Sequence, residues 1–215
     1  MSVNKDVIAN FAIDFYAAKS FDEAFNTFFK LIIDTGFDGV LFSYIPQISI
    51  ASKLSIPPFF KASDKYLDFL SYYAEKRLDK VDFIIKAMKE GETNVLNWWE
   101  EAERRKVSAE EFGVLHVARE QYGITNGITI PTMSEQRGIA GAAIISSKSG
   151  DAYSKLISEN IDTLVLCTKM FHDFTLSRPL SSNTFILPFF PSLTEKEILV
   201  LRSPLSVNRK TNETN

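Results

Sequence analysis

The stretch Ile124–Ser147, ITNGITIPTMSEQRGIAGAAIISS, decides how this 215-residue chain folds. Its two halves, ITNGITIP (124–131) and IAGAAIISS (139–147), are largely apolar, and the polar turn between them holds Gly138. Two such runs read as a hairpin. Polar residues do not alternate regularly with apolar ones along either half, so both faces of the hairpin are expected to be buried.

A sheet buried on both faces needs helices on both faces, and the flanking sequence supplies them. Downstream, residues 151–175 place Leu156, Ile157, Ile161, Leu164, Val165, Met170 and Phe171 among polar residues, the pattern of a long amphipathic helix covering one sheet face. Upstream, Ser108-Ala-Glu-Glu111 is a capping box opening a helix that closes at Gly123, with Val114, Leu115, Val117, Ala118 and Tyr122 as core positions. The charged run EEAERRK (100–106) reads as a solvated helix face.

At the start of the chain, Val7, Ile8, Phe11 and Phe15 recur at helical spacing, and a second capping box at Ser20-Phe-Asp-Glu23 opens a helix to Asp34, stopped by Gly36. GVLFSYI (39–45) and ISIASKLSI (48–56) are expected to pair as the first hairpin, ended by Pro57-Pro58. Ser63 and Asp64 cap a helix to about Glu75, and after a break at 78–80 another helix starts at Asp82 and ends at Gly91. The expected fold class is α/β: an α/β/α sandwich on a mostly antiparallel sheet of about five strands flanked by helices.

Composition excludes several functions. The net charge is −3, with basic and acidic residues interleaved, so no broad phosphate-binding surface is indicated. Cys167, the single cysteine, excludes an internal disulfide framework and a cysteine-rich zinc site; a buried thiol is the plain reading. No run approaches the ~18 apolar residues of a membrane span, and the expected location is the cytoplasm. His116 and His172 lie on separate helices without ligands at metal spacing, and no nucleophile–base order, phosphate loop or HExxH pattern occurs. No catalytic residue, metal or cofactor is therefore expected. Eighteen phenylalanines either fill a thick core or line an apolar cavity.

The stretch Tyr66–Trp99 gathers aromatic rings around Asp82 and reads as a small-molecule pocket. Three segments carry a resemblance. Phe69-xxx-Tyr73-(eight residues)-Asp82, Tyr122–Pro131 with Gly127 in its strand, and LTEKEILVL (193–201) are similar, in order and spacing, to motifs of the LuxR-type quorum-sensing regulators that bind acyl-homoserine lactones. This resemblance implies the sandwich fold, a small-molecule autoinducer-like ligand, and a homodimer or a heterodimer with a full-length LuxR-type regulator. It also implies that Asp82 accepts a ligand amide N–H while Tyr73 donates to the amide carbonyl.

The departures from the family pattern matter as much. Phe69 stands where the family's tryptophan donates its indole N–H to the lactone carbonyl. Ile144, six residues after Gly138, stands where a serine or threonine normally supports the head group. Lysine occupies the position of a further family tyrosine, with Tyr66 adjacent, and Trp98 matches the downstream tryptophan with one residue inserted. The resemblance therefore implies amide recognition kept and lactone recognition weakened or replaced.

Each residue also has a plainer role. VDFIIKAM makes Asp82 an ordinary N-cap, a role compatible with ligand contact. Tyr73 can sit at a core rim with its hydroxyl wet, and Phe69, on the same helix face, can be core. Trp98 is favoured over Trp99 as a pocket wall; Thr129 is a candidate head-group contact or simply a good strand former; Gly127 can let a ring approach closely. The small run 140–143 leaves room for an acyl chain or a tight helix–sheet contact.

The expected organisation is an autoinducer-binding-like domain at 1–176, a proline-bearing linker at 177–192 and a helix-turn-helix remnant at 193–215. With Pro204 breaking the last segment, no recognition helix is expected, nor DNA binding by this chain alone. The function expected is a ligand-binding regulator without DNA activity that acts through dimerisation, a dominant-negative modulator being one form of it. The competing expectations are a ligand-independent interaction module or a fragment of a DNA-binding activator.

Overall fold

The computed structural model describes residues 4–46, 49–50, 54–55, 58–135 and 138–177. Its elements in chain order are α1 (Lys5–Ala17), α2 (Phe21–Asp34), β1 (Gly39–Pro46), β2 (Ser49–Ile50), β3 (Leu54–Ser55) and β4 (Phe59–Ala62). They continue with α3 (Leu67–Glu75), α4 (Phe83–Lys89), β5 (Leu96–Asn97), α5 (Trp98–Arg105), α6 (Ala109–Tyr122), β6 (Asn126–Glu135), β7 (Gly138–Ser146) and α7 (Gly150–Ser177). Single 3-10 turns at Asp64–Tyr66 and Leu78–Lys80 flank α3. The linker and helix-turn-helix expectations beyond Ser177 lie outside the described residues.

The helix starts follow their caps. Ser20 accepts the Glu23 N–H at 3.1 Å, and Ser108 and Glu111 form a reciprocal box in which the Ser108 N–H donates to Glu111 at 2.8 Å. Gly123 closes α6 at φ 68°, a left-handed conformation that costs glycine nothing. The Ser63 hydroxyl does not cap the helix after it; it bonds the Val40 backbone instead.

The main sheet has five strands in the order β4-β1-β7-β6-β5, every neighbouring pair antiparallel. One sequence expectation is corrected. Strand β1 pairs with β4 and β7, while β2 and β3 pair only with each other. The physical reason lies in the two rings of β4: Phe59 packs edge-on against Phe21 on one face, and Phe60 packs against Tyr73 on the other, so this short edge strand serves both layers. At Pro131, which has no N–H to give the ladder, the β6–β7 register shifts past Thr132 as a bulge.

Each sheet face carries its own core. Helices α1, α2 and α7 bury one face, and Phe171 is the hub of that layer, its ring within 6.3 Å of Phe15, Phe21, Phe25, Phe28 and Phe42. The phenylalanine excess is thus spent mainly on this layer. Helices α3 to α6 cover the other face with a second core built on Phe69, Phe83, Ile84, Met88, Trp98 and Leu115. The layers alternate along each strand: Val40, Phe42, Ala142 and Ile144 face the first, and Leu41, Ile45, Ala143 and Ile145 the second.

Candidate ligand pocket

The second layer does not close completely. A cavity of about 80 Å³ remains between the sheet and α3, α4, α5 and α6, lined chiefly by apolar side chains with Ser43, Tyr73, Asp82, Trp98 and Thr129 among them.

Asp82 reaches the cavity because the chain folds back after α3. Arg77 adopts a left-handed conformation (φ 52°), its guanidinium held by Asp79, and the following turn brings residue 82 beside residue 73. Asp82 caps α4, accepting the Ile84 N–H on Oδ1 at 2.8 Å, and takes the Tyr73 hydroxyl on Oδ2 at 2.8 Å. The cap and the pocket position therefore coexist. Burial raises the Asp82 pKa above the usual carboxylate range, opposed by these hydrogen bonds, and burial also holds the Tyr73 phenol well above its ordinary value. A carboxylate offers about four lone pairs, so Asp82 keeps capacity for a further donor. The Tyr73 proton is committed to Asp82, so the expected donation to a ligand carbonyl requires that proton to turn away from the acid.

The second polar pair spans 31 residues. The Trp98 indole N–H donates to the Thr129 hydroxyl at 2.9 Å, both side chains being buried. Gly127 makes this possible: a Cβ there would lie 2.5 Å from the Trp98 ring. Trp99 points elsewhere, donating to the Thr125 carbonyl at 3.0 Å.

Of the residues singled out from the sequence, Phe69, Tyr73, Asp82, Trp98 and Thr129 line the cavity. Three do not. Gly127 lies beneath Trp98, supporting it. Tyr66 is packed on Gly39 at the end of β1, with its ring 2.5 Å from where a Cβ would stand. Ile144 is corrected: strand alternation turns it into the α1/α2/α7 layer, and its neighbours Ala143 and Ile145 line the cavity instead. Ala143 is likewise the member of the small run that faces the space. Sequence reasoning missed Ser43, Phe60, Ile84, Ile85 and Met88. The alternation Leu41, Ser43, Ile45 within β1 was the available signal for Ser43. His116 is exposed, and His172 is buried with Nδ1 2.9 Å from the Thr132 hydroxyl; among the described residues there is no cluster able to hold a metal ion.

Residues 20–174 match the family described as the autoinducer binding domain. The chain belongs to that family. Among solved structures, this autoinducer-binding domain resembles SdiA of Escherichia coli at 12% identity and TM-score 0.60, with 92% of this chain and 76% of that one covered. A structure of SdiA in complex with octanoyl-rac-glycerol matches at 14% identity and TM-score 0.60, covering 94% and 78% of the two chains. CepR2 from Burkholderia cenocepacia, an N-acylhomoserine lactone dependent LuxR family transcription factor, matches at 11% identity and TM-score 0.58, covering 86% and 96%. At these identities the structural likeness speaks for the shared fold. No curated protein matches the sequence. Among the described residues no helix is long and apolar enough to cross a membrane.

Proposed function

We propose that this LuxR-type autoinducer-binding domain senses an acyl-chain signal, holding an amide of the acyl-homoserine lactone class at Asp82 and Tyr73. The observation that carries this reading is the buried Tyr73–Asp82 pair at 2.8 Å on the wall of an apolar cavity. Trp98 and Thr129 provide a second polar corner, and Phe69 leaves the lactone carbonyl without an indole donor. Recognition of the amide is thereby retained and that of the lactone ring weakened. That SdiA is solved with octanoyl-rac-glycerol supports widening the ligand class to acyl chains on heads other than lactones. No nucleophile or metal is assigned, and the chain acts as a sensor rather than an enzyme. It acts through association with a second copy or with a LuxR-type regulator.

The test is a thermal-shift panel of acyl-homoserine lactones, simple N-acyl amides and monoacylglycerols. A true ligand at a hundred times its Kd should stabilise the fold by about 2.7 kcal/mol. Phe69→Trp should raise lactone affinity roughly fivefold, the worth of one neutral hydrogen bond, and an unchanged affinity would count against the head-group reading.

One observation favours a second reading, a ligand-independent interaction module. The space of about 80 Å³ is smaller than the roughly 300–1,000 Å³ of ordinary ligand sites, and the Tyr73–Asp82 and Trp98–Thr129 pairs already satisfy each other. On that reading no compound in the panel shifts the melting temperature.

A further inference from the structure

Strand β5 is an edge of the main sheet, and beside it an open groove runs between α5 and α7. The groove holds about 350 Å³, within the roughly 300–1,000 Å³ of ordinary ligand sites, where the cavity between the sheet and α3 to α6 does not reach that range. Its apolar surface comes from Val95, Ile128, Ile157 and Ile161, residues of the phenylalanine-rich layer, so it is separate from the Tyr73–Asp82 cavity.

Most polar groups on the groove walls are already engaged. Ser154 and Ser158 donate to the Gly150 and Lys155 carbonyls of their own helix, and the Asn97 amide donates to Glu100 at 2.9 Å. Arg104 and Arg105, the basic residues of α5, pair with Glu101, Glu90 and Glu92, which leaves Glu100 without a cation among the described residues. Tyr153 is the other group left over: it is 6% exposed, and its hydroxyl is buried with no hydrogen-bond partner among the described residues. Buried hydroxyls are ordinarily satisfied. The ring projects from α7, and the Glu100 carboxylate on the facing wall adds to the effect of burial in raising the phenol pKa, so the hydroxyl end points across the groove toward α5. Glu100 is exposed, and exposed side chains change rotamer in picoseconds to nanoseconds, so the rim can open over the hydroxyl.

We propose that this groove is a second ligand site, taking a small organic amine whose ammonium group donates to the Glu100 carboxylate and to the Tyr153 hydroxyl oxygen while its hydrocarbon body covers Val95, Ile157 and Ile161. Each part of the ligand answers one feature of the groove. The unpaired carboxylate attracts a cation and repels an anion. An ammonium carries three N–H donors and no acceptor, so one group serves both oxygens. The partly exposed isoleucines and valine favour a ligand with apolar area to bury over a bare inorganic cation. The site does not depend on whether the cavity senses an acyl signal.

The experiment is a titration of the 215-residue protein followed by amide NMR, with hexylamine and phenethylamine as probes and hexanol, phenethyl alcohol and hexanoate as their uncharged and anionic counterparts. The amines should shift the signals of Glu100, Tyr153 and Ile157, bind more tightly than the alcohols, and weaken as salt is raised. Glu100→Gln, at an exposed position, should lower amine affinity about fivefold and leave the alcohols unaffected. Tyr153→Phe should lower it about threefold while melting no lower than wild type, because the substitution removes a buried hydroxyl that has no partner. Absence of amine binding, equal binding of amines and alcohols, or an affinity unmoved by Glu100→Gln overturns the proposal. Shifts gathered at Tyr73 and Asp82 in place of Tyr153 would put the amine in the cavity and overturn it as well.

Discussion

With Oδ1 on the Ile84 N–H and Oδ2 on the Tyr73 hydroxyl, Asp82 is a carboxylate in a largely apolar wall with no cation bonded to it among the described residues. Burial raises its pKa in the folded protein, so folding favours the protonated form. The sign follows by linkage: the Asp82 contribution to stability is most favourable below the unfolded carboxyl pKa and is lost as pH rises through the raised folded value. Asp82→Asn removes the ionisation while its amide oxygen can still cap Ile84. Its melting temperature should exceed that of wild type by a few degrees at pH 7, and the advantage should shrink as pH falls to the ordinary carboxyl range. Paired melts from pH 3.5 to 8 would show this; a constant or inverted difference would refute it. The same substitution should weaken amide binding, since the charge-assisted acceptor is gone.

At the scale of elements, strand β6 and the start of α5 are locked by one contact. Gly127 admits the Trp98 ring, and the ring's N–H reaches Thr129 two residues along the same strand. Gly127→Ala would place a methyl 2.5–2.7 Å from three ring atoms, so the indole must move off Thr129. The expected loss is about 1–3 kcal/mol, the usual cost of overpacking, with a change in tryptophan fluorescence and weaker ligand binding. Chemical denaturation followed by fluorescence checks all three; wild-type stability in the variant would mean that the strand yields more easily than its ladder with β7 implies. Local elements were legible because their signals are local. The Ser20 and Ser108 caps and the closing Gly123 each act within about one helical turn. The partner of β1 was not legible, because Phe59 and Phe60 are chosen by rings on α2 and α3 that lie far off in the sequence.

For the whole molecule, the sheet separates a phenylalanine-rich structural layer from a layer that holds the cavity. Phe171, fully buried at the centre of the first, should cost about 3–5 kcal/mol when replaced by alanine. Because the sheet stands between, Phe171→Ala should leave ligand affinity within about twofold wherever the variant remains folded, as expected for distant sites sharing no partner. Denaturant melts and calorimetry below the new transition test both statements; a large affinity loss in folded variant would show that the layers are coupled.

The division between sequence and structure runs along the range of the forces. Caps, helical periodicity and the apolar hairpin at 124–147 are set by neighbours, and they determined the elements and the sandwich. Tyr73 and Asp82 were legible as a pair because nine residues and one tight turn join them. Which face Ile144 takes, that Trp98 meets Thr129, and that Ser43 lines the cavity were decided by tertiary structure alone. Strand register assigns side chains to faces, a one-residue difference reverses the assignment, and that register is set by strands and helices brought together only in the folded chain.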